Sequence, residues 1–200
     1  VTQDAQLPIR EVHGMPQTSV TTYYLEMHDP RDLRPKRSPR GDVALVKVTP
    51  PSPQLNRFFY TAVGADWYWT DRLPWTYQKW SDYLSRDDLQ TWMLTVGGIP
   101  AGYFELEKQP GEHVEIAYFG LLPQFVGAGL GGHLLTDAIE RGWGMGARRV
   151  WVHTCTLDHP QALGNYQARG MKLYKEETKI EDVAARSPGP WPGACPTQDG

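Results

Sequence analysis

Residues 1–19 mix Gln, Pro, Thr and Gly without hydrophobic rhythm and read as a loose N-terminal arm. From residue 21 to 27 β-branched and aromatic side chains accumulate, which predicts a short edge strand. Residues 30–40 are basic and broken by prolines, and read as a solvated loop, with an anion contact as the alternative. Residues 43–48 form a further extended run, and beyond Pro53 the positions Leu55, Phe58, Phe59 and Ala62 have helical spacing. Residues 76–84 read as a second short helix with Trp80 and Leu84 on one face. Extended runs at 91–96, 101–106 and 114–121 follow, joined by Gly97-Gly98 and by Gln109-Pro110-Gly111-Glu112, and predict an antiparallel meander.

Past residue 121 the period changes. Leu130, Leu134, Ala138, Ile139 and Trp143 make a helical stripe, with Asp137 and Arg141 expected to pair on the opposite face. Residues 149–155 are a strand, Asp158-His159-Pro160 reads as a capped helix start, and Gly170 ends that helix. A last strand occupies 171–180, and Pro188, Pro190, Pro192 and Pro196 mark a tail over residues 183–200. Residues 20–182 are thus expected to form one mixed α/β domain, antiparallel in front and βαβ-like behind.

Composition narrows the function. A net charge of −3 gives no global basic face, so no nucleic-acid partner is expected. No apolar run reaches the length of a membrane span, and residues 1–4 do not open a secretory signal, so a cytoplasmic protein without a membrane partner is expected. Cys155 and Cys195 read as free thiols in a reducing compartment. A homodimer is compatible with the sequence.

The strongest chemical signal is the turn Gln124-Phe125-Val126-Gly127-Ala128-Gly129, which leaves a strand and enters a helix at Leu130. Such a turn aims several backbone N–H groups at one point, where the helix dipole adds positive character. Gly127 and Gly129 allow positive φ and close approach by phosphate oxygens, and Gly131 and Gly132 let the first helical turn pack tightly. The glycines could simply make a turn. They also spell GxGxxG, but a dinucleotide site, and with it a nucleotide-dependent oxidoreductase, asks for a parallel βαβ start and a later acidic residue. Here the turn follows a meander, and the region near Val152 has no carboxylate.

Gln124, Gly127 and Gly129 resemble the Gln/Arg-x-x-Gly-x-Gly/Ala signature of the GNAT acetyltransferases. Tyr166-Gln167-Ala168-Arg169-Gly170-Met171 is similar to that family's Tyr-x-x-x-Gly-Phe helix end, with Met in place of Phe. The resemblance spans roughly residues 43–180. It implies a GNAT fold, a mostly antiparallel, splayed sheet flanked by helices, with acetyl-CoA as acyl donor and pantetheine held between the strands ending near Leu121 and Cys155. The pyrophosphate would rest on residues 124–132, that is Gln124, Phe125, Val126, Gly127, Ala128, Gly129, Leu130, Gly131 and Gly132. Backbone N–H groups of Phe119 and Leu121 would meet the acetyl carbonyl and the pantetheine. His159 stands where the family commonly has a pantetheine-binding Asn.

The resemblance also implies transfer to a primary amine of a small metabolite, amino acid or peptide by direct attack. Tyr166 would protonate the leaving thiolate. Glu115, mid-strand among apolar residues, is the candidate base, its pKa expected to rise on burial, acting directly or through water. His113, His153 and His159 have no metal-ligand spacing, so no metal is expected. Cys155 reads as a packed side chain rather than an acyl carrier. Trp67, Trp69, Asp71 and Arg72 belong to an aromatic segment that either caps a small core or forms the acceptor pocket. In the pocket reading an Asp holds a cationic amine, while Asp71 and Arg72 pair with each other or clamp an acceptor carboxylate. A catalytically silent acyl-CoA-binding module is the non-enzymatic alternative.

Overall fold

The computed structural model describes residues 16–184. In chain order the elements are β1 (Gln17–Met27), β2 (Val43–Lys47), α1 (Pro53–Gly64), α2 (Tyr77–Leu84), β3 (Leu89–Val96), β4 (Ile99–Gln109), β5 (His113–Leu121), α3 (Gly131–Gly144), β6 (Arg149–Cys155), α4 (Ala162–Ala168) and β7 (Lys172–Asp182). The strands form one sheet in the order β2-β3-β4-β5-β6-β1-β7. Every neighbouring pair is antiparallel except β5–β6. The outer parts of the expected arm and tail, and Cys195, lie outside the described residues.

Two strand expectations need correction. β1 begins at Gln17, inside the stretch read as an arm. It is also no edge: the first strand of the chain enters between β6 and β7, pairing antiparallel with both. Its long ladders satisfy its backbone groups on both sides, and its polar side chains find partners on the neighbouring strands, Thr21 with Thr178 of β7 at 2.9 Å and Glu26 with Arg149 of β6 at 2.7 Å.

α3 packs over the sheet through Leu130, Leu134, Leu135, Ala138 and Ile139, against Leu25, Leu94, Phe104, Leu106, Val114, Ile116, Val150 and Val152. Burying each Leu, Ile, Val and Phe side chain among these stabilises the domain by about 1.5–3 kcal/mol. Asp137 does not pair with Arg141. It accepts from Arg37 at 2.6 Å and faces His133 at 3.4 Å, while the Arg141 guanidinium lies 4.6 Å from the Trp92 ring centre. The basic stretch causes this change. Residues 33–40 are a strap across α3, with Lys36 N–H donating to Thr136 and Ser38 N–H to His133.

Helices α1 and α2 are capped by Ser52 and Thr76, whose hydroxyls accept from Leu55 N–H and Lys79 N–H. They cover β3–β5 through Phe59, Val63 and Tyr103, and through Tyr60, Trp80, Leu84 and Leu89. α4 starts at Ala162, not at Asp158. The Asp158 carboxylate turns back instead, accepting from Thr154 Oγ1 at 2.7 Å and Cys155 N–H at 3.0 Å.

β5 and β6 pair only at His113↔Arg149, Val114↔Val150 and Glu115↔Trp151. Beyond that point the β4–β5 register steps from Leu106↔Ile116 to Glu105↔Tyr118, which leaves Ala117 as an extra residue. Such a bulge bends a strand, and here the two parallel strands part.

Candidate active site

The parting of β5 and β6 opens a cleft of about 1420 Å³. One wall carries Glu115 to Leu121, the other Val152 to Asp158; Tyr166, His159, the glycine turn and Trp67 to Arg72 complete the lining. Leu122 N–H donates to Ala101 on β4 at 2.9 Å. Strand alternation then turns the N–H groups of Phe119 and Leu121 the opposite way, toward the gap, where no β6 residue pairs with them.

The turn before α3 has the expected backbone. Gly127 and Gly129 take φ of 82° and 76°. A Cβ on either would meet no atom within 4 Å, so both glycines border open space. No side chain caps the N-terminus of α3, which leaves its first-turn N–H groups available to an anion. A Cβ on Gly132 would strike the end of Arg169 and the stem of Lys36, placing two cationic side chains beside that helix start. Arg169 Nε is buried without a hydrogen-bond partner. Uncapped N–H groups, two cations and an unpartnered donor fit a pyrophosphate.

Tyr166 is 5% exposed, and its ring centre is 6.0 Å from that of Phe119 on the facing strand. Burial, and secondarily the charge of Asp158, raise its phenol well above the ordinary tyrosine range, so it keeps its proton. The Cys155 thiol is also pushed up, by burial first and then Asp158, which disfavours the nucleophilic thiolate.

Glu115 is buried but partnered. Its Oε2 accepts from Gln109 Nε2 at 2.7 Å, and its Oε1 lies 3.1 Å from His153 Nδ1. Gln109 Oε1 in turn accepts from Trp151 Nε1 at 3.1 Å. The hydrogen bond to Glu115 raises the His153 pKa above 6.5 against the lowering effect of burial, and the charges of Glu115 and Asp158 add to the rise.

The aromatic segment packs on the small core and also borders the cleft. Trp69 packs against α1 so closely that a Cβ on Gly64 would strike its ring, and it donates Nε1–H to Asp158 at 3.3 Å. Trp67 meets His159 edge-on at 4.9 Å between ring centres, and His159 Nδ1 accepts from Gln161 N–H at 3.1 Å. Both tryptophans, with Asp71, line the cleft.

Arg72 departs from expectation. It does not pair with Asp71; it is 6% exposed, bonds buried Glu105 at 2.8 Å, donates to Tyr83 at 2.6 Å, and is boxed by the rings of Trp75, Tyr83 and Tyr118. Its charge is already neutralised, so it serves the floor of the pocket rather than a free clamp.

His153, Gln109 and Trp151 had no recognisable motif. Their meeting depends on the Glu115↔Trp151 register between strands far apart in sequence. Alternation along 149–155 shows only that Trp151 and His153 share a face. Among the described residues no group of three or more His, Cys, Asp or Glu is gathered as metal ligands, and no helix is long and apolar enough to cross a membrane.

A comparison with curated proteins finds no match. Among solved structures, a GCN5-related N-acetyltransferase from Kribbella flavida aligns with a TM-score of 0.60 at 21% identity, over 86% of this chain and 61% of that one. A GCN5-related N-acetyltransferase from Sphaerobacter thermophilus aligns with a TM-score of 0.60 at 15% identity, over 88% of this chain and 56% of that one. A putative GNAT-family acetyltransferase from Novosphingobium aromaticivorans gives 0.56 at 15% identity, over 87% and 69%. The chain therefore spans 56–69% of these proteins' lengths, and the likeness is one of fold. The acetyltransferase (GNAT) family model matches residues 54–171, from the first helix through the glycine turn to the residue after Gly170, and the chain belongs to the GNAT acetyltransferase family.

Proposed function

We propose that this protein transfers the acetyl group of acetyl-CoA to a primary amine of a small metabolite, amino acid or peptide. The observation that carries the reading is the cleft between β5 and β6, which is lined both by the anion-ready start of α3 and by the aromatic segment. Residues 124–132 hold the pyrophosphate, aided by Lys36 and Arg169, and family membership supplies acetyl-CoA as the donor. The free N–H groups of Phe119 and Leu121 hold the pantetheine and polarise the thioester carbonyl, where negative charge grows during attack. His159 borders the same arm. Trp67, Trp69 and Asp71 receive the acceptor, with Arg72 bracing the pocket from below.

The amine nitrogen bonds to the carbonyl carbon as the carbon–sulfur bond breaks. Glu115 and the groups bonded to it take the proton released from nitrogen, and Tyr166 gives its proton to sulfur; solvent restores both. Tyr166 suits this task by its place, lining the cleft with its ring 6.0 Å from that of Phe119, and it carries a proton near neutral pH as any phenol does. The test is thiol release from acetyl-CoA across a panel of amines with wild type and Tyr166→Phe. The variant should lose roughly 10²-fold or more in kcat with unchanged CoA affinity. Near-wild-type turnover would remove the acid role. CoA binding without turnover of any amine by wild type would favour a silent acyl-CoA-binding module.

A further inference from the structure

We infer that His153, through Nε2, is the base that deprotonates the acceptor amine, and that Glu115 is its positioning residue. This rests on the acetyl-transfer reading above. Both carboxylate oxygens of Glu115 are engaged, one by Gln109 and one by His153, and its side chain is 12% exposed. His153 is the outward member of the pair, with a side chain 48% exposed in the same cleft.

An ionised carboxylate only accepts, so the His153 nitrogen facing it, Nδ1, carries the proton. The other nitrogen, Nε2, is then a bare lone pair. The chain Trp151 Nε1–H to Gln109 Oε1, Gln109 Nε2–H to Glu115 Oε2, and Glu115 Oε1 to His153 Nδ1 locks the ring from behind. Three side chains from three strands support one imidazole at an exposed rim, where folding alone asks for no such ordering.

The groups facing His153 from each packed element are consistent with a base. β5 contributes Glu115, the segment after β6 contributes Asp158, and β6 itself contributes Trp151 with ring centres 6.0 Å apart. β1 contributes Tyr24, also at 6.0 Å, whose hydroxyl donates to Glu177 and whose ring carries Lys175 on its face. The hydrogen bond to Glu115, with the charges of Glu115 and Asp158 added, holds the ring's pKa above 6.5 against burial. In the reaction, Nε2 takes the proton from the attacking nitrogen as its bond to the carbonyl carbon forms. Tyr166 protonates the departing sulfur, and the imidazolium then loses its proton to solvent.

The test compares wild type, His153→Asn and Glu115→Gln. Asn retains a donor near the Nδ1 position, so the bond to Glu115 and the fold survive while the base is lost. Amine acetylation by His153→Asn should fall roughly 100-fold in kcat with CoA Kd unchanged, and the acidic limb of its pH profile should vanish. Glu115→Gln removes the raising influence, so its acidic limb should move to lower pH while the plateau drops. Ring-nitrogen NMR should show the same fall in His153 pKa without any substrate.

Wild-type kcat and an intact acidic limb in His153→Asn would overturn the base assignment and leave acetyl transfer standing. An NMR titration of His153 unmoved by Glu115→Gln would overturn the positioning role. Wild-type protein that binds CoA and acetylates no amine would remove the function reading, and this assignment with it.

Discussion

Alanine at Gly127 or Gly129 separates the turn's conformation from its ligand. Both residues have φ near +80°, where an L side chain costs about 1–2 kcal/mol. A Cβ at either meets no protein atom within 4 Å, so no packing penalty is added. For a chain of this size that strain lowers Tm by about 2–8 °C. The binding loss is a separate quantity. A side chain here intrudes on space left for phosphate oxygens, and losing one charge-assisted hydrogen bond is worth about 1.5–3 kcal/mol. CoA Kd should therefore weaken roughly 10- to 150-fold. Gly144→Ala is the control: that glycine ends α3 without positive φ and has nothing within 4 Å of an added Cβ. It should leave CoA affinity unchanged and Tm equal or slightly higher. Thermal melts of the free proteins and calorimetric titration with CoA measure the two quantities. A lowered Tm with CoA Kd within about two-fold of wild type would mean that the turn is strained for some other reason and holds no phosphate.

Further predictions concern the pocket wall and floor. Glu105→Ala strands the Arg72 guanidinium in the interior and should cost about 3–5 kcal/mol in urea denaturation, whereas replacing both partners by Met should recover most of it. A Glu105→Ala cost below about 1 kcal/mol would show that the pair is not isolated from water. Gly120→Ala drives a Cβ into Val63 Cγ1 and should destabilise by about 1–3 kcal/mol; Val63→Ala in the same chain should relieve it. Failure of that rescue would place the conflict elsewhere. Trp69→Phe removes the indole bond to Asp158 and should raise KM for the amine while leaving CoA Kd alone, a split visible in steady-state kinetics.

The glycine turn and the place of Tyr166 in the candidate site were legible because their determinants are local. Gln124 to Gly132 are contiguous, positive φ is a property of single glycines, and Tyr166 lies within a motif of its own. The order of elements was legible for the same reason, since α1, α2 and α3 each announce themselves by spacing and turns. What could not be read are the features that depend on register and topology. Nothing in residues 17–27 distinguishes a strand at an edge from one inserted between β6 and β7, because the distinction belongs to the partners. Glu115 was conspicuous as a carboxylate among apolar neighbours, yet its binding to His153 and Gln109 needed the parallel register and the β4–β5 turn together. Arg72 beside Asp71 suggested the wrong pairing, since sequence neighbours compete with partners such as Glu105 that the sheet brings close.

Asp158 acts through its charge on both His153 and Tyr166. Its carboxylate is held by three neutral donors, Thr154 Oγ1, Cys155 N–H and Trp69 Nε1. None of these cancels its charge. That charge adds to burial in keeping the Tyr166 phenol protonated, and adds to the Glu115 hydrogen bond in making His153 more basic. For the base proposed above the effect is favourable, because a more basic His153 takes the amine proton more readily. Asp158→Asn keeps one acceptor oxygen, enough for Thr154 Oγ1 and Cys155 N–H, and gives up both the charge and the acceptor for Trp69 Nε1. It should shift the acidic limb of the pH profile to lower pH, in the same direction as Glu115→Gln, with the fold and CoA Kd preserved. An unmoved limb in a stable Asp158→Asn protein would show that the carboxylate only shapes the turn.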